Sequence, residues 1–267
     1  MMLSQRAHDV GSLSCADWIV PDWPLHGPVR SLVTTRAGGV SDGPWGGGAG
    51  GGMNVAFGSG DVPERVELNR QRLNALLPQP PRWLCLQHGS GVVEAESVGR
   101  EPVFADAATA CRAGVVCCVT VADCLPVLLA DRLGRVVGAA HAGWRGLAAG
   151  VIQATVASMQ ARAGGAPGDI IAFLGPCIGP RAFKVGGEVL QAMQRNLPQA
   201  GQAFVPIGEG KYLADLPQLA RQALAQVQVL EVYGGRWCTY SDPGRFYSFR
   251  RDRTTGRHAA VIWLESP

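Results

Sequence analysis

The order of apolar and polar positions predicts strands and helices that alternate without a fixed repeat. A β-branched run over residues 29–36 predicts a strand. Val66, Leu73, Leu76 and Leu77 recur at helical spacing and predict a helix over 62–77, with Asp61 as its N-cap. Short apolar runs predict strands at 83–87, 92–95, 115–121, 126–130 and 136–140. The clearest helical pattern, residues 146–162, sets Leu147, Val151, Thr155 and Met159 in one stripe beside Ala148, Ile152 and Val156. A strand at 170–174, helices at about 187–195 and 215–226, and strands at 229–233 and 259–264 complete the pattern. Such an irregular mixture predicts an α/β (α+β) fold, a mixed sheet with helices packed on it and no Rossmann repeat.

Glycine changes the picture between residues 38 and 60, where the run Gly46-Gly47-Gly48-Ala49-Gly50-Gly51-Gly52 excludes regular structure and predicts a long mobile loop. Two roles fit such a loop: a flexible surface insertion, or a lid beside an active site. Residues 1–28 read as an irregular leader with Trp18 and Trp23 packed on the domain edge, and residues 29–267 as a single domain. Lys and Arg number 24 against 21 Asp and Glu, a net charge of +3, and no basic block marks a nucleic-acid or membrane surface. Asp123 interrupts the most apolar segment, 115–130, so no membrane span is expected. The first 22 residues lack the apolar core of a secretory signal, which makes the cytoplasm the expected location. The eight cysteines are then expected as buried thiols or metal ligands and not as a disulfide framework.

Candidate chemistry gathers where predicted strands run into small residues. Of five histidines, His88 lies in Gln-His-Gly and His141 in Ala-His-Ala-Gly-Trp-Arg-Gly, while Cys124 lies in Ala-Asp-Cys-Leu-Pro. Two imidazoles and one thiolate suit Zn²⁺, and three protein ligands leave one coordination position open, the pattern of a catalytic site. The spacing matches no short metal motif, and a buried histidine or thiol is the plainer reading of each residue alone. Cys85 precedes His88 by three, an offset that places the two on opposite faces of a strand. Arg145 and Gly146 open the long helix, where a phosphate could dock. Arg36 offers a second loop-borne cation, and Asn54 a hydrogen-bonding group that is also an ordinary turn residue. The aromatic and cationic segment 237–251 either stacks a nucleobase or caps the sheet, and His258 reads as structural.

Taken together, residues 34–41, 53–55, 83–89, 105–107, 120–129, 138–146, 174–179 and 238–263 resemble, in order, the YfiH-like laccase-domain family. Its members were first called polyphenol oxidases and later purine nucleoside phosphorylases with adenosine deaminase activity. The resemblance implies a single-domain layered αβ sandwich with mixed sheets, of the cytotoxic-necrotizing-factor/YfiH-like cysteine-hydrolase type. It implies His88, Cys124 and His141 as ligands of Zn²⁺, with copper as the alternative ion. It implies a catalytic Cys124 and His141 pair; for deamination, Asp123 or Cys238 are the candidate proton carriers. Arg36, Asn54 and Arg145 are then the substrate-binding residues, and the expected partners are a nucleoside and phosphate, bound by a monomer or small homo-oligomer. Two positions depart from the family pattern: Leu86 stands where glutamine is frequent, and Lys184 replaces a common glutamate in Phe183-Lys184-Val185-Gly186. Competing readings are a cysteine hydrolase with Cys124 as nucleophile and His141 as base, and a non-catalytic zinc module closed by a fourth ligand. A multicopper phenol oxidase is the third, though five histidines with no His-x-His pair are poor material for it.

Overall fold

The computed structural model describes residues 18–25, 27–47, 51–99, 101, 103–164 and 169–266. In chain order they form β1 (Val29–Val33), β2 (Ala37–Ser41), α1 (Pro63–Asn74), β3 (Val92–Glu94), β4 (Ala107–Ala110), β5 (Cys117–Val121), β6 (Leu125–Asp131) and β7 (Val137–Ala142). There follow α2 (Trp144–Ala149), α3 (Val151–Ala163), β8 (Ile170–Leu174), β9 (Lys184–Gly186), α4 (Gly187–Gln194), β10 (Phe204–Pro206) and β11 (Lys211–Ala214). Last come α5 (Leu216–Gln226), β12 (Val232–Gly234), α6 (Phe249–Asp252) and β13 (His258–Leu264).

The continuous apolar run of β6 shows why these elements layer as they do. All seven of its residues are buried. Leu125, Val127 and Leu129 alternate with Leu128 and Ala130, and the two sets enter different cores. The first set meets helical residues such as Leu147, Ile152, Val156, Leu219 and Ala223. The second meets Val33, Val119, Ala260 and Ile262 from another sheet. β6 thus sits inside a mixed six-stranded sheet, β12-β8-β6-β7-β4-β3, with helices on one face and an antiparallel sheet, β1-β13-β5, on the other. The outer face of that second sheet, including Cys118, Val261 and Trp263, is covered by Leu73 of α1 with Met53 and Val55. The order helix, sheet, sheet, helix agrees with the expected layered αβ sandwich. A small antiparallel sheet, β10-β11-β9, is appended beside α4.

Several expectations shift in detail. The helix expected at 146–162 begins at Trp144 and breaks into α2 and α3 at Gly150, which takes φ +85°, a left-handed value glycine adopts without steric cost. Asp61 is not the cap of α1: Val62 holds that position and Pro63 supplies N1. Residues 83–87 form no strand; one isolated bridge falls at Cys85, and another just before them at Arg82. β4 escaped the pattern because Ala-Ala-Thr-Ala has no β-branched run, yet all four residues are buried between β3 and β7. The three-residue strands β9, β10 and β11 are too short to show a period. The described cysteines, Cys85, Cys111, Cys117, Cys118, Cys124, Cys177 and Cys238, are free thiols. No described helix is long and apolar enough to cross a membrane.

The glycine-rich segment is a folded element where it is described, and residues 48–50 of the expected mobile loop lie outside the described chain. Gly52 bridges Ala37 and Ser41 of β2, and the Met53 N–H donates to the Arg36 carbonyl at 2.9 Å. A Cβ at Gly39 would collide with the Gly52 carbonyl, and one at Gly52 with the Trp45 carbonyl, so glycine here permits close backbone approach. Asn69 of α1 clamps the layer: its amide donates to Ser41 Oγ, Gly52 O and Asn54 O at 2.8–3.0 Å, and its Oδ1 accepts from the Val40 N–H at 2.8 Å. From the leader, Ile19 pairs with Val33, and Trp18 Nε1 donates to the Ala37 carbonyl. Trp23 packs edge-on to Phe173. Because Asn69→Ala strands several buried partners at once, it should cost about 3 kcal/mol in equilibrium urea unfolding; a change under about 1 kcal/mol would show that the clamp is dispensable.

Candidate functional site

Three neighbouring strands of the six-stranded sheet end together and carry the site. Antiparallel pairing sets Pro126 of β6 opposite His141 of β7, and Ala107 of β4 opposite Ala140. Cys124, just before β6, and Asp106, just before β4, therefore flank His141, whose N–H donates to the Asp106 carbonyl at 2.7 Å. The donor atoms of His88, Cys124 and His141 all lie within 4.8 Å of one another, and the two imidazoles meet edge to face with centroids 4.8 Å apart.

Asp106 organises this group and went unnoticed as a functional candidate in the sequence. Its Oδ1 lies 2.9 Å from His141 Nδ1, which directs the opposite ring nitrogen toward the other donors. The same carboxylate accepts backbone N–H groups from Gln87 at 3.2 Å, His88 at 2.9 Å and Gly89 at 2.7 Å. It thereby holds His88 at φ +59°, a left-handed value that is costly for a residue with a Cβ. Asp123, next to Cys124, is also left-handed at φ +91°. Its Oδ1 accepts from Thr239 Oγ1 and its Oδ2 from the Arg250 N–H, each at 2.6 Å. Glycine completes the cradle: a Cβ at Gly143 would sit 2.8 Å from Cys124 Sγ and 3.4 Å from the His88 ring.

The electrostatics follow from this geometry. Burial alone would raise the Cys124 thiol, but His141 and His88 outweigh it and bring the thiol down to about 6. Burial would lower His141, yet Asp106 and Cys124 hold it up at about 9. Asp106 is buried as well, and the His141 ring with the loop N–H groups keeps its carboxyl below the ordinary range. A thiolate poised against two imidazoles, one of them oriented by a carboxylate, is a donor set that fits a divalent metal ion.

His88, Cys124 and His141 line one wall of a cleft of about 450 Å³, a size that suits a small organic ligand. Trp144, Phe183 and Phe249 give it aromatic walls, and Arg145, Arg250 and Arg257 bring three guanidiniums. Arg145 lies over Trp144 at 4.3 Å and Arg250 over Phe183 at 5.2 Å. Arg257 is half-buried; burial lowers its pKa, while the charges of Cys124 and Asp123 oppose that shift. Within segment 237–251, Phe246 and Tyr247 are buried, whereas Phe249 and Arg250 line the cleft.

Arg36, Asn54 and Cys238 do not line the cleft. Arg36 donates to the carbonyls of Gly46, Pro44 and Pro243 and lies over the Tyr247 ring, so its guanidinium is spent on the glycine segment. Asn54 is fully buried; its amide donates to Ser59 and Asp61, and its Oδ1 accepts from the Arg257 N–H at 2.9 Å, which ties it to the cleft through that backbone alone. Cys238 accepts from the Gly179 N–H and lines a different depression with Arg181 and Arg236. None of the described residues 38–60 lines the cleft. His258 is buried and accepts from the Tyr247 N–H, and burial pushes it down to about 3. Among the described residues, His88, Cys124 and His141 are the one group of three or more potential metal donors, and no fourth Cys, His or carboxylate joins them.

Comparison with known proteins places this site in context. The family described as multi-copper polyphenol oxidoreductase laccase matches residues 30–265. A purine nucleoside phosphorylase of Pseudomonas aeruginosa is 48% identical over 250 residues, 93% of this chain and 98% of that protein. The purine nucleoside phosphorylase YfiH of Escherichia coli strain K12 is 47% identical over 92% of this chain and 98% of its own length. A crystal structure of a Neisseria meningitidis protein superposes with a TM-score of 0.88 at 43% identity, covering 94% of this chain and all of the other. With a fold, a length and a sequence shared to this degree, the chain belongs to the laccase-domain family that includes YfiH.

Proposed function

We propose that the chain is a zinc-dependent purine nucleoside phosphorylase acting on adenosine, inosine, guanosine or methylthioadenosine, with adenosine deamination as a side activity. One observation carries the reading: a single cleft joins the His88, Cys124 and His141 donor set to aromatic walls and three guanidiniums. The purine stacks against Phe249, Phe183 or Trp144, a recognition mode that tolerates different bases because every purine offers a π-face. Arg250 and Arg257 hold phosphate in line with the sugar C1′ while the bond to the base breaks, so positioning and charge supply much of the rate. His88, Cys124 and His141 would hold the ion, which would supply Lewis acidity to the cleft. Asp123 acts as a positioning residue in this scheme: both oxygens already accept hydrogen bonds, and one of them fixes the backbone of Arg250. Arg36 and Asn54 act indirectly, and Cys238 has no part. The names of the relatives support the phosphorylase part of this reading.

A second reading keeps Cys124 as a nucleophile, because Cys124, His141 and Asp106 form the thiol, imidazole and carboxylate series of a cysteine hydrolase. A thiolate that holds a metal ion is not free to attack. Stoichiometric alkylation of Cys124 in metal-replete protein would favour the hydrolase, and protection until the metal is chelated favours the phosphorylase.

Four variants test the proposal. His88→Ala and Cys124→Ser should each reduce bound zinc from about one per chain to near zero and lower phosphorolysis of inosine at least about 1,000-fold; full turnover by metal-free protein would overturn the scheme. Asp106→Asn, read by competition with a chelator, should weaken metal affinity about 10- to 100-fold. Arg257→Gln should raise KM for phosphate about 10-fold or more with KM for inosine little changed.

A further inference from the structure

Trp144, Arg145, Phe183 and Arg250 form a wall of the cleft and also border a second chamber, again of about 450 Å³. Its lining adds Lys184 of β9, Lys211 of β11 and Glu188 of α4. The antiparallel register pairs Lys211 with Gly186 and Leu213 with Lys184, so the two lysines leave the same face of the small sheet as diagonal neighbours. Like charges placed this way repel, and among the described residues none of Arg145, Lys184, Lys211 and Arg250 forms an ion pair. Glu188 is the single carboxylate of the lining, and it folds back against Gly186, where a Cβ would collide with it. Four cations around one acid leave an uncompensated positive field that an anion neutralises.

We propose that this annex is a phosphate-monoester subsite, through which the chain binds purine nucleoside 5′-phosphates with base and sugar in the cleft. The inference rests on the nucleoside reading of the cleft and extends its ligand class to nucleotides. The doorway between the two chambers is built for such a ligand. Arg145 and Arg250 are stacked on Trp144 and Phe183, and so present oriented forks to a phosphate passing from one chamber to the other. Arg250 is further steadied by donating to the Lys184 carbonyl at 2.8 Å. Beyond the doorway, Lys184 and Lys211 are exposed point charges that add attraction without dictating geometry. Arg257 lines the cleft alone and Arg250 borders both chambers, so inorganic phosphate is met by these two on the cleft side while Lys184 and Lys211 are left to an anion carried by the nucleoside.

Titration calorimetry of the purified protein at low ionic strength tests this with inosine 5′-monophosphate, inosine and inorganic phosphate as probes. The wild type should bind the monophosphate about 10- to 100-fold more tightly than inosine. Lys184→Glu and Lys211→Glu should each weaken the monophosphate about 10-fold or more and leave inosine unchanged, and Lys184→Arg should retain the wild-type affinity. Equal affinities for monophosphate and inosine in the wild type would overturn the inference. So would charge-reversal variants that still bind the monophosphate normally, or variants that lose inorganic phosphate alone. Lysine-dependent monophosphate binding in a protein that fails to phosphorolyse inosine would retire the phosphorylase reading and leave the subsite standing. Phosphorolysis of inosine with no such lysine dependence would do the reverse.

Discussion

One buried carboxylate, Asp106, fixes the relation between parts of the chain that are far apart in sequence. It orients the ring of His141 at the end of β7, and through three backbone N–H groups it shapes the turn that presents His88. Cys124 then needs only the β6–β7 register to arrive beside them. A carboxylate buried without such donors would cost several kcal/mol or take up a proton, so the loop, the imidazole and the acid stabilise one another as a unit. The left-handed backbone at His88 is held by this arrangement, the kind of local strain that persists only where its surroundings over-determine it.

The layered fold supplies the rigidity that such a site requires. β6 and β7 are buried along their whole lengths between the helical layer and the second sheet, so the strand ends that carry Cys124 and His141 have little freedom. The segments beyond those ends supply the aromatic and cationic walls, from 144–145 at the start of α2, 183–184 at the start of β9, and 249–257 in and after α6. Glycine contributes by admitting close neighbours, with Gly143 leaving room for the Cys124 sulfur and Gly52 for the Trp45 carbonyl.

How much of this could be read from the chain depended on range. Long apolar runs announced β6, β7, β8 and β13, and helical spacing announced α1, α3, α4 and α5, because those signals are local. Residues 88, 124 and 141 stood out because histidine and cysteine next to small residues at strand ends are uncommon. Asp106 stayed hidden because a single acid between alanines carries no local sign that it will be buried against an imidazole 35 residues away. Arg36 and Asn54 looked like ligand groups because they flank a glycine-rich run. That run instead demands partners for its own carbonyls and turns, and both residues supply them. Arg250 was legible only as a member of the aromatic and cationic stretch 237–251, and Arg257 lay outside it, since which residues face inward is decided by the short helix α6 and the β13 register.

The central claim is that His88, Cys124 and His141 share one ion. X-ray absorption at the zinc edge of the purified protein tests it most directly. The account predicts one sulfur at about 2.3 Å and two imidazole nitrogens at about 2.0–2.1 Å, with a lighter oxygen or nitrogen scatterer in the remaining position. A metal shell that lacks sulfur, or one that is unchanged in Cys124→Ser, would contradict it.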